Sequence, residues 1–158
     1  MLSVHKINLK KLLISLAISL GTGLLSGLIS MSGMDSFSSV IQPPFAPPDF
    51  LFPIVWTILY TLMGISAYIV WESDSENKPK ALAIYGIQLA VNFFWSIIFF
   101  NYQEYLFASI WIILLWLLII VMIYEFSKVS KISAILQIPY LLWVTFANYL
   151  TFGIFLLN

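Results

Sequence analysis

Apolar residues run almost unbroken through five stretches, from about Leu12 to Met31, Phe52 to Trp71, Leu82 to Phe100, Leu106 to Phe126 and Ile135 to Leu157. Each is close to the roughly 20 residues that cross ~30 Å of hydrocarbon at about 1.5 Å per residue. None shows the two-residue alternation of a membrane strand. The pattern therefore predicts an all-α integral membrane protein, a five-transmembrane-helix bundle forming a single domain over residues 1–158. The first stretch follows Lys6, Lys10 and Lys11 and ends near Ser30-Met31-Ser32, which loosely resembles a signal-peptide cleavage site. Its length exceeds the roughly 7–15 residues of a signal h-region, so it reads as a span.

Within the spans, helical spacing sorts side chains into faces. Trp56, Tyr60, Met63 and Ala67 share one face of the second span; Gln88, Asn92, Trp95 and Phe99 share one face of the third. Trp143, Ala147, Leu150 and Ile154 form a matching stripe on the fifth. Amide side chains are costly against lipid, so Gln88 and Asn92 should face inward and carry Trp95 with them. Three helices would then line one aromatic cavity with a few polar groups, as a planar apolar ligand requires. The same stripes also serve ordinary core packing, and an Asn can simply bond a neighbouring helix.

Between the first two spans lies a loop from Gly33 to Leu51. The segment Gln42-Pro43-Pro44-Phe45-Ala46-Pro47-Pro48-Asp49-Phe50-Leu51-Phe52-Pro53 holds five of the chain's seven prolines. Proline removes donors and resists helix, so this loop should be stiff and extended, a lid over the mouth of the bundle. Pro53 also fits a helix start. All seven basic residues are lysines, and they fall before the first span, between spans two and three, and between spans four and five. The positive-inside rule then puts the N-terminus in the cytoplasm and the C-terminus outside.

Only 9% of residues are charged, against about 25% in a soluble domain. Seven Lys balance seven Asp plus Glu, leaving no basic face for nucleic acid. Cysteine is absent, which removes disulfides, thiolate metal sites and cysteine nucleophiles. The single histidine, His5, sits in the N-terminal tail, so neither a His-based metal or haem ligand set nor Ser-His-Asp catalysis is available inside the bundle. No metal and no required cofactor are expected.

Three blocks carry a family resemblance: PPFAPPDFLFPIVWTILYTLMG, NFFWSIIFF and PYLLWVTFANYL. In this order they resemble the translocator protein family, also called tryptophan-rich sensory protein or peripheral benzodiazepine receptor, over roughly residues 37 to 152. The resemblance implies a bacterial plasma-membrane protein that binds a porphyrin, such as protoporphyrin or haem, or a drug-like ligand. Carried over position by position, it implies that Trp56, Asn92, Trp143 and Ala147 line the ligand pocket. Tyr60, Trp95, Tyr140, Phe146 and Leu150 match neighbouring motif positions. Pro47 and Pro48 match paired lid prolines, which Pro43 and Pro44 precede. The chain departs from the family's Lys-Pro-x-Trp-x-Pro-Pro at Gln42 and Phe45, so the contact expected of Phe45 with a ligand is dispersive, without an N–H donor. Trp111 stands where a fourth-span aspartate is common, Ser36 and Phe37 replace an aromatic pair, and Thr151 replaces an asparagine.

Two functions follow from that resemblance. One is a tetrapyrrole-binding sensor, receptor or carrier. The other is an enzyme degrading porphyrin with light and oxygen, in which Trp56 and Trp143 would donate electrons; no acid–base pair in the spans supports it, so its chemistry would be the ligand's own. No sterol site is expected: Val121, Tyr124 and Lys128 fit only a lax formula. Besides the lipid bilayer, the expected partner is a second copy. Ala83, Gly86 and Ala90 on span three form a small-residue face, and the resemblance also implies a dimer. The rival run Ser15, Ser19, Gly23 and Gly27 on span one reads as packing inside the monomer.

Overall fold

The computed structural model describes residues 6–158, so His5 lies outside the described residues. The chain folds as α1 (Leu9–Phe37), α2 (Leu51–Glu72), α3 (Lys78–Ser96) with a π-helical turn (Ile97–Asn101), α4 (Tyr105–Ser127), a short α5 (Lys131–Leu136) and α6 (Ile138–Leu157). Five helical segments are long and apolar enough to cross a membrane, counting α3 with its π turn and α5 with α6. The expected all-α bundle is what forms.

Local chemistry sets the boundaries. Asn8 caps α1, its side chain accepting from the Lys11 amide at 3.2 Å. Pro79 and Pro139 sit in the first turns of α3 and α6, where a missing N–H costs nothing. Pro139 also explains why the fifth span is not one helix. It cannot donate to the preceding turn, so α5 stops at Leu136 and Gln137 separates it from α6.

Small residues let α1 and α2 close on each other. Ser15 donates its hydroxyl to the Gly64 carbonyl at 2.7 Å, and a Cβ on Gly64 would lie 2.6 Å from Ser19 Oγ. The Tyr60 ring occupies the space a side chain at Gly23 would need. Ser15, Ser19 and Gly23 thus pack inside the monomer, whereas Gly27 meets nothing within 4 Å and marks where the two helices part. Beyond this contact, α3 packs on α1, α2 and α4, and α6 packs on α4. At the lysine-bearing end, buried Glu125 accepts from Asn77 Nδ2 at 2.9 Å and pairs with Lys80 and Lys128, each at 3.2 Å. That cluster joins the α2–α3 connection to the end of α4.

Two segments correct the sequence reading. The first span does not stop near Met31. α1 continues to Phe37, so the loop covers 38–50 rather than Gly33 to Leu51. The cause is tertiary: Gly33 lets α1 approach the Phe100 carbonyl, and Phe37 packs its ring on Phe99 and Phe100 at 5.5 and 5.2 Å. The loop itself is folded back in turns rather than extended. Its first half is fastened to α6. Asn158 accepts from the Ile41 amide and donates to the Ile41 carbonyl, both at 3.0 Å, and the Tyr149 hydroxyl donates to the Pro44 carbonyl at 2.7 Å. Pro43 is buried against Gly153, where a Cβ would stand 2.8 Å away.

Candidate functional site

Where α1 and α2 part, a cavity of about 910 Å³ opens at the loop end of the bundle. Its wall is built from α1, the first turns of α2, the end of α3 with its π turn, and α6, with Gln42 and Asp49 of the loop at the mouth. α4 contributes nothing to it. α4 instead supports α3 from behind, where the Trp111 indole N–H donates to the Val91 carbonyl at 2.7 Å. That bond is the structural use of Trp111.

Aromatic rings line the cavity on two sides. Trp95 stacks on Phe99 with ring centroids 5.2 Å apart, and Phe99 meets Phe100 edge-on at 4.9 Å. Across the cavity Trp56 leans on Tyr60 at 5.6 Å, and Phe52 meets Trp143 edge-on at 5.8 Å. The π turn makes part of this wall: one extra residue in the helical turn brings Phe99 and Phe100 to the cavity together. Asn101 secures the turn to α1, donating to the Ile29 carbonyl at 2.9 Å and to Ser32 Oγ at 3.2 Å.

Beneath the cavity runs a buried hydrogen-bond chain whose polarity can be followed atom by atom. Gln88 Nε2 points at Met63 Sδ at 3.9 Å, and a thioether can only accept. Gln88 Oε1 is then turned to Tyr140, which donates to it at 2.7 Å. The Tyr140 oxygen in turn accepts from Asn92 Nδ2 at 2.8 Å. Asn92, on the cavity wall, therefore keeps its amide nitrogen turned to the core, and its carbonyl oxygen is the atom not committed to this chain.

The structure brings Trp56, Tyr60, Asn92, Trp95, Trp143, Ala147 and Leu150 to this one cavity. Three other expected site residues lie elsewhere. Tyr140 is fully buried behind Asn92 and supports the floor. Phe146 faces a separate groove between α2 and α6, on the far side of Trp143. Phe45 stands off the cavity, 90% exposed with φ of 68°. The reason is local: the Ala46 amide donates to the Pro43 carbonyl at 3.3 Å, closing a turn with Pro44 second and Phe45 third. That position needs positive φ in a type II turn, which turns the ring away. None of Pro43, Pro44, Pro47 and Pro48 lines the cavity either; Gln42 and Asp49 are the loop residues that do.

Sequence reasoning missed the contribution of α1, where Gly27, Ser30, Met34 and Phe37 form one wall. The signal was present: small residues every four positions that run past the contact with α2 must border something other than a helix. On the opposite face of α3, Ala83, Gly86 and Ala90 are exposed, and a side chain at Gly86 would meet nothing within 4 Å.

A sequence model described as the TspO/MBR family matches residues 14–157. The chain is 40% identical over 126 residues to the tryptophan-rich protein TspO of Chlorobaculum tepidum, covering 77% of this chain and 78% of that one. It is 39% identical over 155 residues to the tryptophan-rich protein TspO of Archaeoglobus fulgidus, covering 96% and 99% of the two chains. To the translocator protein of Bos taurus it is 30% identical over 123 residues, covering 76% and 73%.

Proposed function

Because the chain belongs to the TspO/MBR family, we propose that it is a membrane sensor or receptor that holds a tetrapyrrole in the cavity between α1, α2, α3 and α6. The observation that carries this reading is the cavity itself. Its volume of about 910 Å³ falls within the roughly 300–1,000 Å³ of small-molecule sites, and its wall is aromatic with a few polar groups. Flat ring faces at Trp56, Trp95 and Trp143 offer stacking and edge contacts to a planar ligand. The site lies at the end of the bundle away from the lysines, which on the positive-inside rule is the outer side of a bacterial plasma membrane, with the N-terminus inside.

The test is titration of the purified protein with protoporphyrin, read by tryptophan fluorescence. Saturable quenching is expected, with Trp56→Ala and Trp143→Ala each weakening binding at least about tenfold, roughly 1.4 kcal/mol. Quenching that never saturates, or that is unchanged in both variants, overturns the assignment.

A second reading, light-dependent degradation of the bound porphyrin, is favoured by two oxidisable indoles, Trp56 and Trp143, on the same wall. Illumination with oxygen separates the two readings. A stable product spectrum that is lost in Trp56→Phe and Trp143→Phe while binding persists marks an enzyme. Bleaching at the rate seen with an unrelated membrane protein marks a binder.

The same reading includes a homodimer through the exposed α3 face. Gly86→Leu and Ala90→Leu are expected to leave the fold intact, since both positions face outward, and to shift the mass in detergent from dimer to monomer. Dimers persisting in both variants would place the contact on another helix.

A further inference from the structure

Among the described residues, a few buried side-chain polar atoms find no partner within the protein. Ser30 Oγ, Trp95 Nε1 and Trp143 Nε1 belong to residues of the cavity wall, where a ligand can answer them. The Tyr85 hydroxyl and both ends of the Gln137 carboxamide lie off that wall. Gln137 is the extreme case. It is 0% exposed, lines neither the cavity nor the α2–α6 groove, and has neither Oε1 nor Nε2 bonded. Turning the amide over exchanges its two ends and satisfies neither.

Its place in the fold follows from the bonds on either side. Four residues before it, the Ser133 carbonyl accepts from Ser66 Oγ on α2 at 2.7 Å. Three residues after it, Tyr140 donates to Gln88 on α3 at 2.7 Å, in the cavity floor. Ser66 follows Met63 by three residues and Tyr85 precedes Gln88 by three, so each steps one helical turn down from that same floor. Gln137, Ser66 and Tyr85 therefore share one layer beneath it. The layer also holds the break between α5 and α6, where Pro139 cannot supply the N–H of a continuous helix. In a bilayer, such breaks are satisfied by neighbouring helices, hydroxyl side chains or ordered water. The hydroxyls here are already spent. Ser66 donates to the Ser133 carbonyl and Ser133 to the Ser130 carbonyl, both at 2.7 Å, so each keeps only lone pairs.

We infer that Gln137 marks an internal water site beneath the cavity floor, in the break between α5 and α6. A buried water makes about three hydrogen bonds, and it both gives and receives them. It can accept from Gln137 Nε2 and donate to Oε1, and the serine lone pairs and the Tyr85 hydroxyl of the same layer supply further partners. An unanswered carboxamide inside a membrane bundle is costly, and water is the small polar molecule that relieves it. The site extends the Asn92–Tyr140–Gln88 chain by one layer toward the lysine-bearing end. It is distinct from the ligand cavity, which Gln137 does not line, and it stands whether or not a tetrapyrrole binds there.

The experiment is solid-state NMR of the full chain in lipid bilayers, following magnetisation transferred from water to side-chain N–H groups at short mixing times. The Gln137 amide signal is assigned by its loss in Gln137→Met. Its build-up is expected to outpace that of the Trp111 indole, which is bonded to the Val91 carbonyl and serves as the dry reference. Thermal unfolding supplies a second readout through the sign of its shift. Methionine is close to glutamine in shape, so replacing an amide that lacks any partner raises the melting temperature, whereas replacing one bonded to water lowers it. A fall of about 3 °C or more is expected for Gln137→Met. An unchanged or higher melting temperature, or a Gln137 build-up no faster than that of Trp111, overturns the inference. If Gln137→Met does not fold, the NMR comparison decides alone, with Gln137→Asn to assign the signal.

Discussion

Gly33→Val is expected to be the most damaging single change at the loop end of the bundle. A Cβ at this position runs into the Phe100 carbonyl and carbon, which are backbone atoms that cannot rotate aside. α1 must then back away from the π turn, giving up the ring contacts of Phe37 with Phe99 and Phe100 and the Asn101 bonds to Ile29 and Ser32. Overpacking of this kind costs roughly 3 kcal/mol, about 6–12 °C in melting temperature for a chain of this size. Gly27→Ala serves as the control, because its Cβ enters open space. Thermal unfolding in detergent, followed by circular dichroism, would show the two variants diverging. Similar melting in both would mean that α1 does not lean on the π turn.

The second large effect belongs to the floor. Tyr140→Phe keeps the ring but removes the hydroxyl that joins Gln88 to Asn92. Two buried polar groups lose a partner at once, for a cost of about 2–3 kcal/mol. Adding Gln88→Met to Tyr140→Phe should recover part of that loss, since taking away both ends of a buried bond is milder than stranding one. A double-mutant cycle measures the coupling directly. Additive losses would show that the two side chains are independent.

The spans and the inward faces were legible because both depend on local spacing. The length of the apolar runs fixes the helices, and the three- and four-residue steps that join Trp56 to Tyr60, or Trp143 to Ala147 and Leu150, fix which sides meet. Spacing gives a direction around the helix axis and nothing about depth along it. Met63 and Gln88 lie on the same stripes as Tyr60 and Asn92, yet they sit beneath the cavity as its floor. Phe45 failed for another reason: its orientation is decided by one backbone angle in a turn whose usual occupant at that position is glycine or asparagine. The continuation of α1 to Phe37 was hidden because it depends on what Gly33 touches in a segment more than sixty residues away.

The fastening of the loop to α6 divides it into unequal halves. Ile41, Pro43 and Pro44 are held by Asn158, Gly153 and Tyr149, so this half is anchored to the end of α6. From Ala46 to Phe50 the backbone bonds are to near neighbours in the chain, the Leu51 amide to the Pro48 carbonyl and the Phe52 amide to the Asp49 carbonyl. The two halves thus answer to different helices: the first is tied across the chain to α6, while the second leads into α2 and carries Asp49, which stands beside Phe52 and Pro53 on the cavity wall.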